Sequence, residues 1–411
     1  MKNCLIILFI CLFVVMIGLG LTLPVLPFYI ERMALTEGAS ASLATTHVGI
    51  LTGIFALMQF FFAPLWGKWS DRIGRRPLFL TGLGGYAISM ILFGIGTNLE
   101  MLYGARILGG MFSAAIFPAA TAYVTDVTSP KDRGRGMAWL GSAVSLGVVV
   151  GPALGAFLSR INGHLTYRFA QFHIDSFSMP FFATALLSFL TLLAALWWLP
   201  ESLEPPCVEL PEKQAPAESP AQLRSGWRFV KDLPGQFLLL AFITQFALAL
   251  FEGTFALHAQ KIIGYGPAQM GIIFAVCGLV MAIAQGAVVS WLIEKAGENK
   301  LLPAGFTLMA LGLAMLMTAK AMLLILVYVA LFAFGVALIT PALAALVSKR
   351  SGDKPGMALG FLNAANSLGQ AGGPAAAGLL LAWHIHLPYL LAALLLGASA
   401  VFLTVKILKK I

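Results

Sequence analysis

The chain has 411 residues, of which 59% are hydrophobic and 10% charged. Soluble chains carry about 25% charged residues, so this composition excludes a water-solvated globule and points to a polytopic membrane protein. The formal net charge of +9 is spread over short segments between apolar runs, which excludes a nucleic-acid surface and fits loops that set membrane topology.

At about 20 residues per span, about twelve helices fit, with short loops to spare. Met1 to about Ile30 is apolar after Lys2 and ends in Pro24-Val25-Leu26-Pro27. Its length exceeds the roughly 7–15-residue core of a signal peptide, so it reads as a retained first helix. Glu31 and Arg32 follow at the far side. Helix 2 is predicted over about His47–Trp66 and helix 3 over about Leu78–Gly96. Between them, Gly67-Lys68-Trp69-Ser70-Asp71-Arg72-Ile73-Gly74-Arg75-Arg76-Pro77 carries five charges and reads as a tight loop, since a single ionised group at the bilayer centre costs at least ~2.5–3.5 kcal/mol. Helix 4 runs from near Leu99 to about Asp126, the loop Thr128–Arg135 follows, helix 5 extends to about Ser159, and helix 6 covers about Pro180–Leu199.

From Pro200 to about Asp232 six prolines and five glutamates cannot build a core, so the segment reads as a solvated linker. Six further apolar runs follow, at about 234–258, 268–292, 300–319, 322–347, 356–382 and 387–407. The expectation is an all-α membrane protein of twelve helices, with an N-terminal bundle over 1–199, a linker over 200–233 and a C-terminal bundle over 234–411. With both termini on one side, that side holds twenty of the 26 Lys and Arg and the other side five, with Arg106 inside a helix. The positive-inside bias makes the richer side, and both termini, cytoplasmic. Asp71-Arg72-Ile73-Gly74 is echoed by Glu294-Lys295-Ala296-Gly297 and Gly151-Pro152 by Gly373-Pro374, at offsets of 223 and 222. Two related bundles with a site between them near mid-membrane are the architecture of a secondary transporter.

Several residues stand out against this frame. Glu252 is the carboxylate well inside a predicted helix, which suits a proton-carrying group; a structural carboxyl bonded to Gln245 or near His258 is the alternative. Arg106 lies past the interface in helix 4 and cannot lose its proton, so it serves a proton site or substrate, or clamps helices through carbonyls. In the 67–77 loop, Asp71 is placed to accept N–H groups at the start of helix 11 near Gly356, and Arg72 to pair with Asp126. With Gly67, Gly74, Arg75, Arg76 and Arg133 these residues form a candidate cytoplasmic latch for a two-state rocking motion. Gly147, Gly151, Pro152 and Gly155 permit close helix packing and a kink, and Gly369, Gly373, Pro374 and Gly378 repeat the pattern. Gln59, Tyr123, Gln245, Gln285, Asn363, Asn366 and Gln370 are uncharged polar side chains in apolar helices and are candidate cavity residues; helix-to-helix hydrogen bonding is the competing role for each. Nucleotide-binding, metal and nucleophile motifs are absent, so neither a cofactor, a metal nor an enzymatic activity is expected.

Gly67-x-x-x-Asp71-Arg72-x-Gly74-Arg75-Arg76 resembles the signature loop of the major facilitator superfamily. Leu102-Tyr103-Gly104-Ala105-Arg106-x-x-x-Gly110 is similar to that superfamily's helix-4 motif, and Gly147-x-x-x-Gly151-Pro152-x-x-Gly155 to its helix-5 antiporter motif, with Ala156 where a second glycine is usual. The resemblance points to the twelve-helix drug/proton antiporter branch, and within it to the tetracycline exporter-like group through Leu23–Pro27, Ala56–Gln59 and Ala63-Pro64. Val15 and Ser89 stand where that group carries membrane-embedded acids. The resemblance implies a monomeric multi-pass protein of a bacterial inner membrane that exchanges protons for amphipathic small molecules; a dedicated metabolite, siderophore or lipid-related exporter, or a proton symporter, is the alternative on the same fold.

Overall fold

The structure is a computed structural model that describes residues 2–128, 133–161, 167–169, 172–174, 177–202, 235–350 and 355–408. Most of the expected linker, from 203 to 234, therefore lies outside the described residues. The helices are α1 (Lys2–Thr22), α2 (Leu26–Thr36), α3 (Ala41–Ile73), α4 (Arg75–Gly94), α5 (Leu99–Val127), α6 (Arg133–Ile161) and α7 (Met179–Trp198). They continue as α8 (Gly235–Ile263), α9 (Pro267–Ile283), α10 (Val289–Ala296), α11 (Glu298–Leu316), α12 (Met322–Arg350), α13 (Pro355–Trp383) and α14 (Leu387–Leu408). A π-helical turn, Ala284–Val288, joins α9 to α10. A two-stranded antiparallel hairpin, β1 (Tyr167–Phe169) with β2 (Phe172–Ile174), lies between α6 and α7 and was not expected from the sequence.

Two expectations are corrected. The first apolar run is broken between Thr22 and Leu26, because Pro24 has no N–H to continue the ladder and Pro27 is placed in the first turn of α2. The 67–77 segment, expected as a tight loop, is helical on both sides of a single residue: α3 carries its charges out of the bilayer still helical, and the chain turns at Gly74 alone, at φ 113° and ψ 160°. Charge forces the backbone out of hydrocarbon but does not unwind it. Pro77 falls in the first turn of α4, where its missing N–H has no helical partner to lose.

Among the described residues, eleven helices are long and apolar enough to cross a bilayer. The 29-residue α13 is the twelfth; Asn363, Asn366, Gln370 and several glycines dilute its apolar character. It packs not toward lipid alone but against α8 and α3.

The halves repeat in detail. α6 packs on α1 as α13 packs on α8, and the halves meet through α3 against α13 and α6 against α9. The left-handed glycines fall in two pairs, Gly38 with Gly264 at one face and Gly74 with Gly297 at the other. The interbundle contacts are also paired. A methyl group on Gly49 would lie 2.4 Å from the Pro374 carbonyl oxygen, and one on Gly271 would lie 2.6 Å from that of Pro152. Both partners are 222 residues apart, so one Gly-over-Pro crossing is used twice.

These crossings lie in the half of the protein away from the 67–77 segment, here called the far face. There Ser42 Oγ also donates to the Ala382 carbonyl at 3.2 Å, and Lys261 Nζ lies 3.9 Å from Glu31 Oε1 across the two bundles. Toward the opposite, basic face a methyl on Gly67 of α3 or Gly360 of α13 would touch nothing within 4 Å. The close crossings described between the bundles thus lie toward the far face.

Candidate functional site

The polar face of α13 borders a cavity formed with α8 and α12. Asn363 and Asn366, with Gln245 and Thr244 of α8 and Thr340 of α12, line this cavity of about 180 Å3, whose remaining walls are alanine and leucine. Gln370, one turn after Asn366, is exposed. Of the three α13 candidates, Asn363 and Asn366 line the cavity and Gln370 does not. Gln285 is half-buried in the π-helical turn after α9. Such a turn inserts one residue into the ladder and is frequent at functional positions.

Glu252 lies mid-way along α8, seven residues after Gln245 and so on the same face. It is half-buried, and neither hydrogen bond nor ion pair reaches it among the described residues. The buried Cys277 thiol of α9 is its electrostatic neighbour. The alternative of a structural bond to the His258 region does not hold here, because His258 Nδ1 pairs with the Ile385 carbonyl at 3.2 Å and its ring packs on Tyr389 and His386.

Arg106 is buried in the N-terminal bundle, 6% exposed. Carbonyls were one expected partner; aromatic rings hold it instead. Its guanidinium carbon stands 4.8 Å from the Phe93 ring centre and 5.2 Å from that of Phe55, with Tyr86 nearby. Ring faces attract a cation without accepting its hydrogens well. Nε and Nη2 accordingly have no hydrogen-bond partner among the described residues. Arg106 and Glu252 sit in different bundles and are not brought together.

Two other candidate residues make hydrogen bonds between segments of the chain. Gln59 Nε2 donates to Ser113 Oγ at 3.1 Å, tying α3 to α5. Tyr123 is buried and its hydroxyl donates to the Pro200 carbonyl at 3.0 Å.

At the basic face the latch residues form a network, but with different pairings from those expected. Arg75, not Arg72, holds Asp126: its Nε donates to Asp126 Oδ2 at 3.0 Å and its Nη1 to Asp71 Oδ1 at 2.5 Å and Ser70 Oγ at 3.0 Å. Arg75 lies beside the turn at Gly74, facing Asp126, whereas Arg72 is exposed on the last turn of α3. Asp71 is thus paired with Arg75 within its own bundle. Arg76 Nη2 donates to the Leu196 carbonyl at 2.5 Å. The side chain of Arg133 and the surroundings of Gly356 lie outside the described residues.

Sequence reasoning missed Glu201. Its carboxylate accepts the N–H groups of Arg75 at 2.9 Å and Arg76 at 3.2 Å, filling the N-terminus of α4 where backbone donors are unmatched. Ser202 Oγ donates to Asp126 at 3.1 Å beside it. The C-terminal bundle carries the counterpart with its charges exchanged: Lys349 bonds Glu298, the two positions 223 residues after Asp126 and Arg75. Extending the 223-residue offset one residue past Gly297 finds this pair in the sequence.

The glycine motif packs as its spacing implied. A methyl on Gly151 would lie 2.6 Å from Gly20 Cα and one on Gly155 2.4 Å from the Leu21 carbonyl, while Gly147 abuts Met16 and Phe13. Gly373 stands likewise against Phe246 of α8.

The profile of the Major Facilitator Superfamily matches residues 8–352 and again 237–410. The chain is 31% identical to multidrug resistance protein 2 of Bacillus subtilis (strain 168) over 402 residues, 95% of this chain and 92% of that protein. It is 29% identical to the class C tetracycline resistance protein of Escherichia coli over 360 residues, 87% and 84% of the two chains. The crystal structure of a D-xylose-proton symporter superposes with a TM-score of 0.72 at 16% identity, covering 97% of this chain and 96% of that one. Motifs, paired bundles and full-length similarity agree: this multi-pass membrane chain belongs to the major facilitator superfamily, a family of transporters rather than enzymes.

Proposed function

We propose that the chain exports amphipathic small molecules across a bacterial inner membrane in exchange for protons, as a monomer working by alternating access. The observation that carries the reading is the closure of the far face, where two Gly-over-Pro crossings, the Ser42–Ala382 hydrogen bond and the Glu31–Lys261 pair join the bundles. The Lys and Arg bias makes the basic face cytoplasmic, so a crevice closed at the far face takes up cargo from inside. The described ion pairs of Arg75, with Asp71 and Asp126, lie within one bundle, as an unfastened latch requires.

Glu252 fits the proton carrier: an unpartnered carboxylate half-way through a span, on the same helix face as the cavity residue Gln245. Arg106 contributes a fixed charge to the N-terminal bundle, kept from hydrogen-bond acceptors by Phe55 and Phe93. The amides of Asn363, Asn366 and Gln245 offer neutral hydrogen bonds to cargo among apolar walls, a lining that favours uncharged-polar and aromatic contacts over fixed charge pairs. The names of the multidrug and tetracycline resistance relatives support the same cargo class. Efflux of labelled amphipathic compounds from proteoliposomes at two external pH values tests the reading. Efflux driven by an imposed proton gradient and stopped by collapsing it is expected; efflux indifferent to the gradient contradicts it.

A further inference from the structure

A second cleft lies at the basic face, away from the crevice. It has a volume of about 320 Å3 and is formed by the start of α8, the α10–α11 turn and the ends of α12 and α14. Phe237, Leu302 and Leu403 form its apolar floor, and Lys300, Arg350 and Lys406 surround it with positive charge. Its one carboxylate, Glu298, is held by Lys349, which lies outside the lining. Arg350 rests on the Phe237 ring at 5.0 Å, and Lys406 is steered by Gln236. The Lys300 ammonium has no partner among the described residues. Immediately beside the mouth, Leu239, Phe402 and Val405 are exposed apolar side chains on spanning helices, the setting of acyl chains.

We propose that this cleft binds the phosphate headgroup of an anionic phospholipid from the leaflet at the basic face, with its acyl chains lying along Leu239, Phe402 and Val405. Three cations, with no free counter-charge among the described lining residues, match a phosphate, and the adjoining apolar strip selects a lipid over a soluble anion. Basic pockets between helices on the cytoplasmic side are where such headgroups bind. In the N-terminal bundle the exchanged charges instead place Arg75 and Asp126 in a network with Glu201 and Ser202.

Native mass spectrometry of the full-length protein in neutral detergent tests this, with phosphatidylglycerol, phosphatidylcholine and inorganic phosphate as separate additions. Phosphatidylglycerol is expected to bind at least tenfold more tightly than phosphatidylcholine, and millimolar phosphate not to displace it. Lys300→Ala weakens phosphatidylglycerol about fivefold, and Lys300→Ala/Arg350→Ala/Lys406→Ala about a hundredfold. The charge-keeping Lys300→Arg/Arg350→Lys/Lys406→Arg keeps binding within about twofold of the native chain, which separates lost charge from lost fold. Equal binding of the two lipids, binding unchanged by Lys300→Ala, or displacement by free phosphate overturns the proposal.

Discussion

Gly49 and Gly271 offer the sharpest perturbation, because the atoms that an added methyl would meet are mostly backbone and cannot rotate aside. At Gly49 these are the Pro374 carbonyl oxygen at 2.4 Å, Gly378 Cα at 2.7 Å and Gly378 N at 2.9 Å. Relief to ordinary contact distance requires α3 and α13 to separate by about 1 Å at the far face. Overpacking of this kind costs about 1–3 kcal/mol, and the cost falls on the state that is closed at the far face. With about 1.4 kcal/mol per tenfold, Gly49→Ala shifts the balance toward far-face opening by about 5- to 150-fold. Gly271→Ala, facing Ala156 Cβ at 2.1 Å and the Pro152 carbonyl at 2.6 Å, acts in the same direction from the other crossing. Spin labels at Leu43 and Trp383, exposed at the far ends of α3 and α13, report the change as a longer distance by double electron–electron resonance. Gly360→Ala is the control, since its methyl meets nothing. Unchanged far-face distances in folded Gly49→Ala and Gly271→Ala protein refute the claim that these crossings hold the face shut.

Other expectations concern the two faces. Burial raises the Glu31 carboxyl above the ordinary carboxylate range, with the Lys261 ammonium opposing. The closed far face therefore binds the Glu31 proton more tightly than an open one, so acidifying that side favours closure, and this preference fades as pH climbs past the raised value. Glu31→Gln is expected to flatten the pH dependence of the Leu43–Trp383 distance. At the basic face, Arg75→Ala strips partners from Asp71, Asp126 and Ser70 and lowers stability by about 1–3 kcal/mol, whereas Arg72→Ala stays within about 0.5 kcal/mol, both read by thermal unfolding in detergent. Gly74→Ala places an L-residue at φ 113° and its methyl 2.5 Å from Glu201 Oε2, a loss of at least about 1–2 kcal/mol that the same melting curves record.

Hydropathy and charge made the spans, the repeat and the interfacial 67–77 segment legible, since the cost of burying charge acts locally along the chain. What escaped was partner choice. Asp126 carries nothing in its own neighbourhood to distinguish Arg72 from Arg75; the turn at Gly74 decides, by placing Arg75 beside α5. Glu201 sits in a proline- and glutamate-rich stretch that reads as solvated, and its capping of α4 spans more than a hundred residues. Gln59 and Tyr123 are uncharged polar like the cavity residues, and their bonds to Ser113 and Pro200 depend on chain segments distant in sequence. Asn363 and Asn366 were readable because, with Gln370, three polar residues at helical spacing on one apolar span leave a single face to explain.

The coupling role of Glu252 is tested most directly by comparing two reactions of Glu252→Gln in proteoliposomes. Exchange of labelled for unlabelled cargo needs the crevice to alternate but no net proton movement, whereas accumulation against a gradient needs protons to be carried. The account requires Glu252→Gln to keep exchange near the native rate and to lose accumulation driven by an imposed pH gradient. Native-level accumulation in that variant would show that protons cross without this carboxylate.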